Sequence, residues 1–87
     1  MEDKISQIKK EYLEKINQAK NLRELDEVFL ALFGKSGQIT LLPKEFSKLS
    51  DSDKKTLGPL FNETKTDLEQ SIEKARQNIK EQIYNNL

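Results

Sequence analysis

Residues 21–37, NLRELDEVFLALFGKSG, carry the pattern that decides the fold of this chain. Asn21 and Glu24 stand three residues apart, the spacing of a capping box at the start of a helix. Apolar side chains then recur at steps of three and four, which indicates one buried helix face: Leu22, Leu25, Phe29 and Leu32. Gly34 directly follows the apolar run and is predicted to end the helix with a positive φ. The stretch therefore predicts a helix that ends in a tight polar turn over residues 34–37.

The same periodicity extends back toward Met1. The apolar positions on this side are Ile5, Ile8, Tyr12, Ile16 and Ala19. Asn21 interrupts the pattern, so residues 1–33 are either two helices with a break near Lys20-Asn21 or one helix with a local bend. The capping box favours the break.

The connector over residues 34–49 is expected to be irregular or to hold short helical pieces. Ser36 is a candidate cap for a short helix over residues 38–42, which Pro43 would limit because the residue before a proline is disfavoured in the α conformation. Alternatively, Pro43 lies in the first turn of a helical piece that runs on to Leu49.

A second long helix is predicted to begin near Ser50, which stands three residues before Asp53 as a capping residue does. Its apolar stripe again follows steps of three and four: Leu57, Phe61, Thr64, Leu68, Ile72, Ala75, Ile79 and Ile83. Pro59 conflicts with a regular helix because a proline removes one backbone hydrogen bond. Either the helix is kinked at Gly58-Pro59 or the main helix begins at Pro59.

These elements predict one all-α domain over residues 1–87. The expected architecture is an antiparallel helical hairpin, a coiled-coil arm of two long helices with a short helical connector and one or two short helices. A third short helix, from the N-terminal piece or the bend, is expected to cover part of the hairpin. Such an arm buries one seam of side chains, so we expect only marginal stability in isolation.

Composition argues against a self-sufficient enzyme. The 87 residues contain 15 Lys+Arg and 15 Asp+Glu, and they contain no Cys and no His. The commonest general base and the commonest metal ligands are therefore missing, and we expect no catalytic residue and no metal site. The acidic clusters stand at predicted helix starts, where capping explains them. We also expect no transmembrane helix and no secretory signal. Binding, spacing and assembly remain as functions.

Positive charge is concentrated in the predicted bend. Residues 34–55 hold five lysines and three acidic residues, so their net charge is +2, while the segments on both sides are each −1. The lysines are Lys35, Lys44, Lys48, Lys54 and Lys55. A basic bend at the tip of an arm can contact phosphates. Alternatively, it is a solvated loop of a lysine-rich protein. The four phenylalanines are interpreted as core residues rather than as platforms for unpaired bases.

Three motifs together resemble a known family. They are the turn with its continuation, Gly34-Lys35-Ser36-Gly37-Gln38-Ile39-Thr40, the helix start Asn21-Leu22-Arg23-Glu24-Leu25, and the sequence Gly58-Pro59-Leu60-Phe61-Asn62-Glu63-Thr64-Lys65. This combination resembles the N-terminal coiled-coil domain of the alpha subunit of bacterial phenylalanine–tRNA ligases, over about residues 20 to 80. In that family a second basic residue often stands where this chain has Ser36.

The resemblance implies a tRNA-binding arm of a cytoplasmic enzyme. It implies a class II catalytic core beyond this segment, a beta subunit in an (αβ)₂ assembly, and ATP and Mg²⁺ for aminoacylation by the whole enzyme, with no cofactor in this segment. The beginning at Met1 and the end within a helix at residues 84–87 are then those of a piece of a longer subunit. The candidate phosphate contacts are Lys35, Lys44, Lys48, Lys54, Lys55 and Lys65, with Arg23 and Arg76 behind them. Gly34 and Gly37 are assigned a structural role in the turn.

A competing hypothesis is a protein–protein module that self-assembles through its apolar seam. Net neutrality and the interrupted heptad spacing fit this function about as well as RNA binding. The arm, by contrast, is expected to be a monomer or a weak dimer when isolated.

Overall fold

A computed structural model describes residues 2–85 of the chain. Over these residues it contains four helices, namely α1 (Glu2–Gln18), α2 (Leu22–Phe33), α3 (Gln38–Phe46) and α4 (Asp51–Asn85), and no strand. The all-α prediction is confirmed. The prediction that the last helix continues to residue 87 lies outside the described residues.

The helices form an elongated bundle around α4. Asp26 of α2 pairs with Arg76, whereas Phe33 lies in a groove beside Phe61, so α2 runs antiparallel to α4. Lys9 of α1 pairs with Asp67. Ile16 lies next to Ile79, so α1 runs parallel to α4. The bundle measures 55 × 20 × 14 Å. The predicted hairpin is therefore α2 and α4, and the third helix that covers it is α1.

One hydrophobic core joins α1, α2, α3 and α4. Leu25, Leu32 and Leu68 are fully buried in it, and Ile5 is fully buried at the N-terminal end of α1. Each such side chain contributes about 1.5–3 kcal/mol relative to an exposed one. The predicted stripe of α4 is confirmed from Leu57 to Ile79. It is wrong at Ile83, which is half exposed because α4 extends past the point where α1 and α2 pack on it.

The predicted break near Asn21 separates α1 from α2. The Asn21 side chain accepts a hydrogen bond from the Glu24 amide at 2.8 Å. The Glu24 carboxylate reaches back to the amide of Lys20 at 2.7 Å, one residue earlier than in a standard capping box. Two side chains thus satisfy backbone groups on both sides of the break, and α1 can fold back along α2.

The connector contains one helix instead of the fragments expected on either side of Pro43. Helix α3 runs from Gln38 through Pro43 to Phe46, and its N-cap is Gly37 without a side-chain hydrogen bond, so Ser36 is not its cap. Continuing the helix past Pro43 adds Phe46, which packs against the core, to the apolar face formed by the buried Ile39 and Leu42. This burial offsets the hydrogen bond that the proline removes.

The turn before α3 depends on close packing and not on a left-handed backbone. Gly34 has φ −67° and Gly37 has φ −69°, so the predicted positive φ at Gly34 is wrong. A Cβ on Gly34 would collide with the Leu30 carbonyl oxygen, and one on Gly37 would collide with the backbone of Leu32 and Phe33. The structural role assigned to both glycines stays a prediction, and steric crowding, not a positive φ, is the physical reason for it.

Helix α4 begins as predicted and continues through its proline. The Ser50 hydroxyl accepts a hydrogen bond from the Asp53 amide at 3.3 Å. Pro59 lies inside the helix, so it does not start one. The residue before it is Gly58, which lacks the Cβ that would crowd the proline ring in an α conformation. This glycine explains how the helix passes the proline.

Candidate functional site

The candidate site is the basic bend, defined here as residues 34–55. It comprises the turn after α2, helix α3, and the first residues of α4. All five of its lysines are exposed: Lys35, Lys44, Lys48, Lys54 and Lys55. Among the residues that the structure describes, none of the five forms an ion pair within 4.0 Å. The fold therefore gathers at one end of the bundle the cations that the sequence places in this segment.

An acidic residue within the basic bend is neutralised from another helix. Glu45 lies between Lys44 and Lys48 in the sequence, and its two carboxylate oxygens each lie 2.7 Å from Nζ of Lys4 in α1. Since this contact leaves the flanking lysines without an internal partner, their charge stays available to an anion. The sequence did not indicate this pair because its two residues are 41 positions apart.

The other candidate phosphate contacts lie apart from the basic bend. Lys65 is exposed on α4, one turn beyond Phe61, and borders a groove next to the bend. Arg23 lies at the start of α2 and pairs with Glu27 at 3.8 Å. Arg76 is half-buried and lies 3.6 Å from both Asp26 and Glu73. The two arginines are thus engaged in ion pairs within the chain, which weighs against the predicted phosphate contacts, and those contacts stay untested.

The groove next to the basic bend has an aromatic wall that the sequence analysis assigned to the core. It measures about 490 Å³ and opens between α2, α3 and α4. The rings of Phe29 and Phe33 lie 5.3 Å apart along one wall, and Phe61 lines the groove as well. Phe33, Phe46 and Phe61 pack against the core as predicted. Phe29 is 38% exposed, so the core interpretation is wrong for this residue.

Outside the basic bend, Lys9 is held by a charge-assisted hydrogen bond to another helix. The pKa of Lys9 is raised above its ordinary value by its hydrogen bond to Asp67 and by the negative charges of Asp67 and Glu63. Over residues 2–85, no group of three or more acidic side chains converges in a way that could hold a metal ion. None of the described helices is long and apolar enough to cross a membrane. The exposed lysines of the basic bend and the aromatic groove supply binding surface.

Comparison with known proteins relates most of the chain to one family. A family model described as the N-terminal domain of class II aminoacyl-tRNA synthetases matches residues 20–86. The phenylalanine–tRNA ligase alpha subunit of Clostridium novyi is 36% identical over 80 residues, which are 92% of this chain and 24% of that protein. The alpha subunit of Natranaerobius thermophilus is 32% identical over 81 residues, 93% of this chain and 24% of its own length.

A third relative matches a somewhat smaller part of the chain. The phenylalanine–tRNA ligase alpha subunit of Lysinibacillus sphaericus is 38% identical over 73 residues, which are 84% of this chain and 21% of that protein. This chain thus spans about a quarter of the length of the curated relatives that it matches. No solved structure matches it.

Proposed function

This chain belongs to the family of N-terminal domains of class II aminoacyl-tRNA synthetases, and from this premise we propose that it is the tRNA-binding arm of a phenylalanine–tRNA ligase alpha subunit. The arm binds tRNA through phosphate contacts and helps to place it for aminoacylation by a catalytic core outside these residues. The names of the relatives support the choice of enzyme.

The observation that carries the proposal is the exposed, unneutralised charge of the basic bend. Lysines at one end of a rigid bundle can contact several phosphates at once, and each contact gains free energy by releasing condensed counterions. The ion pair between Lys4 and Glu45 removes the negative charge that would oppose such contacts on α3. Phosphate contacts of this kind position a nucleic acid without reading its sequence.

The chemistry of the parent enzyme belongs to the same proposal. The substrates phenylalanine, ATP and tRNA, the Mg²⁺ ions, the beta subunit in an (αβ)₂ assembly and the cytoplasmic location all refer to the whole ligase. The described residues offer no converging acidic cluster for a metal ion. We therefore derive no step of aminoacylation from this chain and assign it substrate positioning only.

Self-assembly through the apolar seam is supported less well. That function needs a seam that is open to a second copy, whereas Leu68 and Ile72 of α4 are buried by helices of the same chain. Among the residues whose burial is described, the exposed large apolar side chains are spread over three helices: Phe29, Leu30, Leu41, Ile83 and Tyr84. Binding to RNA therefore fits the surface better.

A salt titration tests the proposal. The chain is titrated with phenylalanine tRNA and with a noncognate tRNA at two salt concentrations, as the wild type and as the double variant Lys35→Ala/Lys48→Ala. The matched control is Lys10→Ala/Lys80→Ala, which removes two exposed lysines outside the basic bend.

We expect the bend variant to bind both tRNAs more weakly and to reduce the slope of log K against log salt by about 1.4–1.8, at about 0.7–0.9 per phosphate contact. The control is expected to keep the wild-type slope. Equal slopes for the two double variants would contradict the assignment to the basic bend, and a wild-type chain that binds no tRNA at low salt would contradict the proposed function.

A further inference from the structure

We propose that the groove beside the basic bend binds one unpaired nucleobase of the RNA, stacked on Phe29. This inference rests on the proposed function, because it assumes that the basic bend holds an RNA backbone. It adds a site for a base to a surface that otherwise contacts phosphates.

The groove has the shape and the lining that a flat aromatic ligand needs. Phe29 and Phe33 form one wall with their rings tilted by 38°, Phe61 lines the groove as well, and the buried side chain of Ile39 contributes further apolar surface. Its volume of about 490 Å³ is within the range of small-molecule sites. Phe29 lines the groove and keeps 38% of its surface exposed, so the residue is accessible to a ligand in the groove.

Polar groups at the groove favour a base over a phosphate inside it. Glu69 lines the groove, and its carboxylate repels phosphate but accepts hydrogen bonds from the N–H groups of a base. Thr40 adds a hydroxyl that donates or accepts. Lys65 lies one helical turn before Glu69 on α4 and can contact the phosphate of the same nucleotide at the rim.

The positions of the lysines identify the occupant as a nucleotide. Lys35 follows Phe33 by two residues, Lys44 follows Pro43 directly, and Lys65 follows Phe61 by four residues. Each of the three helices around the groove thus has, in it or just after it, an exposed lysine within four residues of a lining residue, and Lys65 lines the groove itself. An apolar side chain of a protein partner would not neutralise these lysines, whereas the backbone phosphates of an RNA strand would. The bases of a duplex are stacked inside it and cannot enter, so the site requires an unpaired base.

The test compares single-stranded RNA with duplex RNA. The probes are a short single-stranded RNA that carries 2-aminopurine at one position and a blunt duplex of the same length. The variant Phe29→Leu keeps an apolar side chain but removes the ring. The matched control is Tyr84→Leu, which removes an aromatic ring that is 74% exposed on α4, away from the groove. Circular dichroism checks that both variants keep the helical content of the wild type.

We expect Phe29→Leu to weaken binding of the single strand by at least about 5-fold, as the loss of one stacked base does, and to leave binding of the duplex unchanged. Binding of the wild type and of Tyr84→Leu should quench the 2-aminopurine fluorescence, and binding of Phe29→Leu should not.

The outcomes separate this inference from the proposed function. If Phe29→Leu binds and quenches the single strand like the wild type while the variant Lys35→Ala/Lys48→Ala loses affinity, the base site is overturned and the tRNA-binding function stands. The base site is likewise overturned if Phe29→Leu weakens binding of the single strand and of the duplex equally. If the wild type binds neither RNA, both proposals fail.

Discussion

Nζ of Lys9 lies 2.9 Å from Oδ2 of Asp67, and this contact joins α1 to the middle of α4. The two residues are 58 positions apart. The pair lies beside the buried side chains of α1 that pack in the common core, and α1 runs parallel to α4. About two fifths of each side chain remains exposed to solvent, with 37% for Lys9 and 39% for Asp67. We therefore expect the pair to contribute modestly to stability and to respond to ionic conditions.

Replacing Lys9 by Met should lower the free energy of unfolding by about 0.2–1 kcal/mol at low salt, because exposed ion pairs contribute that much. The loss should shrink in about 1 M salt, where the Debye length falls to about 3 Å. Urea unfolding at both salt concentrations measures the effect. Lys10→Met is the matched control, since Lys10 is exposed and forms no ion pair in the described part of the chain. A Lys9→Met variant as stable as Lys10→Met at low salt would argue against a stabilising pair.

The same pair predicts a loss of stability at alkaline pH. The folded-state pKa of Lys9 is raised above the ordinary value of 10.5, mainly by the hydrogen bond to Asp67. A raised pKa means that the stabilisation is complete below the unfolded pKa and is lost as the pH rises through the folded pKa. Thermal unfolding at pH values on both sides of about 10.5 should show a decline in the wild type that is smaller in Lys9→Met. Parallel declines in the two proteins would contradict this linkage.

Gly37→Ala should destabilise the chain by about 1–3 kcal/mol, the range for overpacking a filled site. The new Cβ would lie closer than 3.0 Å to backbone atoms of Leu32 and Phe33, which cannot move independently of α2. Ser36→Ala, at an exposed position of the same turn, should change stability by less than about 0.5 kcal/mol. Chemical unfolding of both variants checks the prediction, and a Gly37→Ala variant as stable as Ser36→Ala would refute the steric account of the turn.

Leu68→Ala should lower stability by about 2–5 kcal/mol because it leaves a cavity under fully buried packing. The control Leu30→Ala removes the same side chain from a position that is 61% exposed on α2, and its effect should be much smaller. A loss of this size is a large part of the total for a small domain. The midpoint of urea unfolding distinguishes the two variants, and similar midpoints would argue against the core that the structure shows.

Arg76→Gln should affect stability and leave tRNA affinity unchanged. Its guanidinium lies 3.6 Å from both Asp26 and Glu73, so the substitution breaks contacts that join α2 to α4. The expected loss is below about 1 kcal/mol. A titration with tRNA should give the wild-type salt dependence, unlike the Lys35→Ala/Lys48→Ala variant. A reduced salt slope for Arg76→Gln would instead identify the arginine as a phosphate contact.

Local signals in the sequence predicted the helix boundaries well. Asn21 with Glu24 and Ser50 with Asp53 mark helix starts because the capping chemistry lies within three residues. The local rule failed at Pro43. The residue before a proline is disfavoured in the α conformation, so the rule predicted a helix end where α3 in fact continues. The apolar face of α3 prevailed over that rule through contacts with distant residues.

The candidate site was predictable only in its composition. Counting charges located the lysines of the basic bend, but it did not show that Lys4 neutralises Glu45. The apolar periodicity wrongly placed Phe29 in the core. Steps of three and four predict which side of a helix faces inward, but not how far the neighbouring helices extend over that side. The position of α1 on α4 involves contacts such as Lys9 with Asp67 and the shared core, and residues so far apart in the sequence give no local signal.

Helix α4 runs without a break through Pro59, so its length sets the rotation of one end of the helix relative to the other. A helix of 35 residues is about 52 Å long, and each of its residues turns the chain by about 100°. The direction in which the basic bend faces, relative to Tyr84 at the other end, is therefore set by the number of residues between them. One residue inserted after Ile79 would turn the two ends by about 100° relative to each other, whereas seven would lengthen the helix by about 10.5 Å and nearly restore their alignment. Length changes in this helix therefore keep the orientation of the basic bend relative to Tyr84 only in steps that preserve this phase.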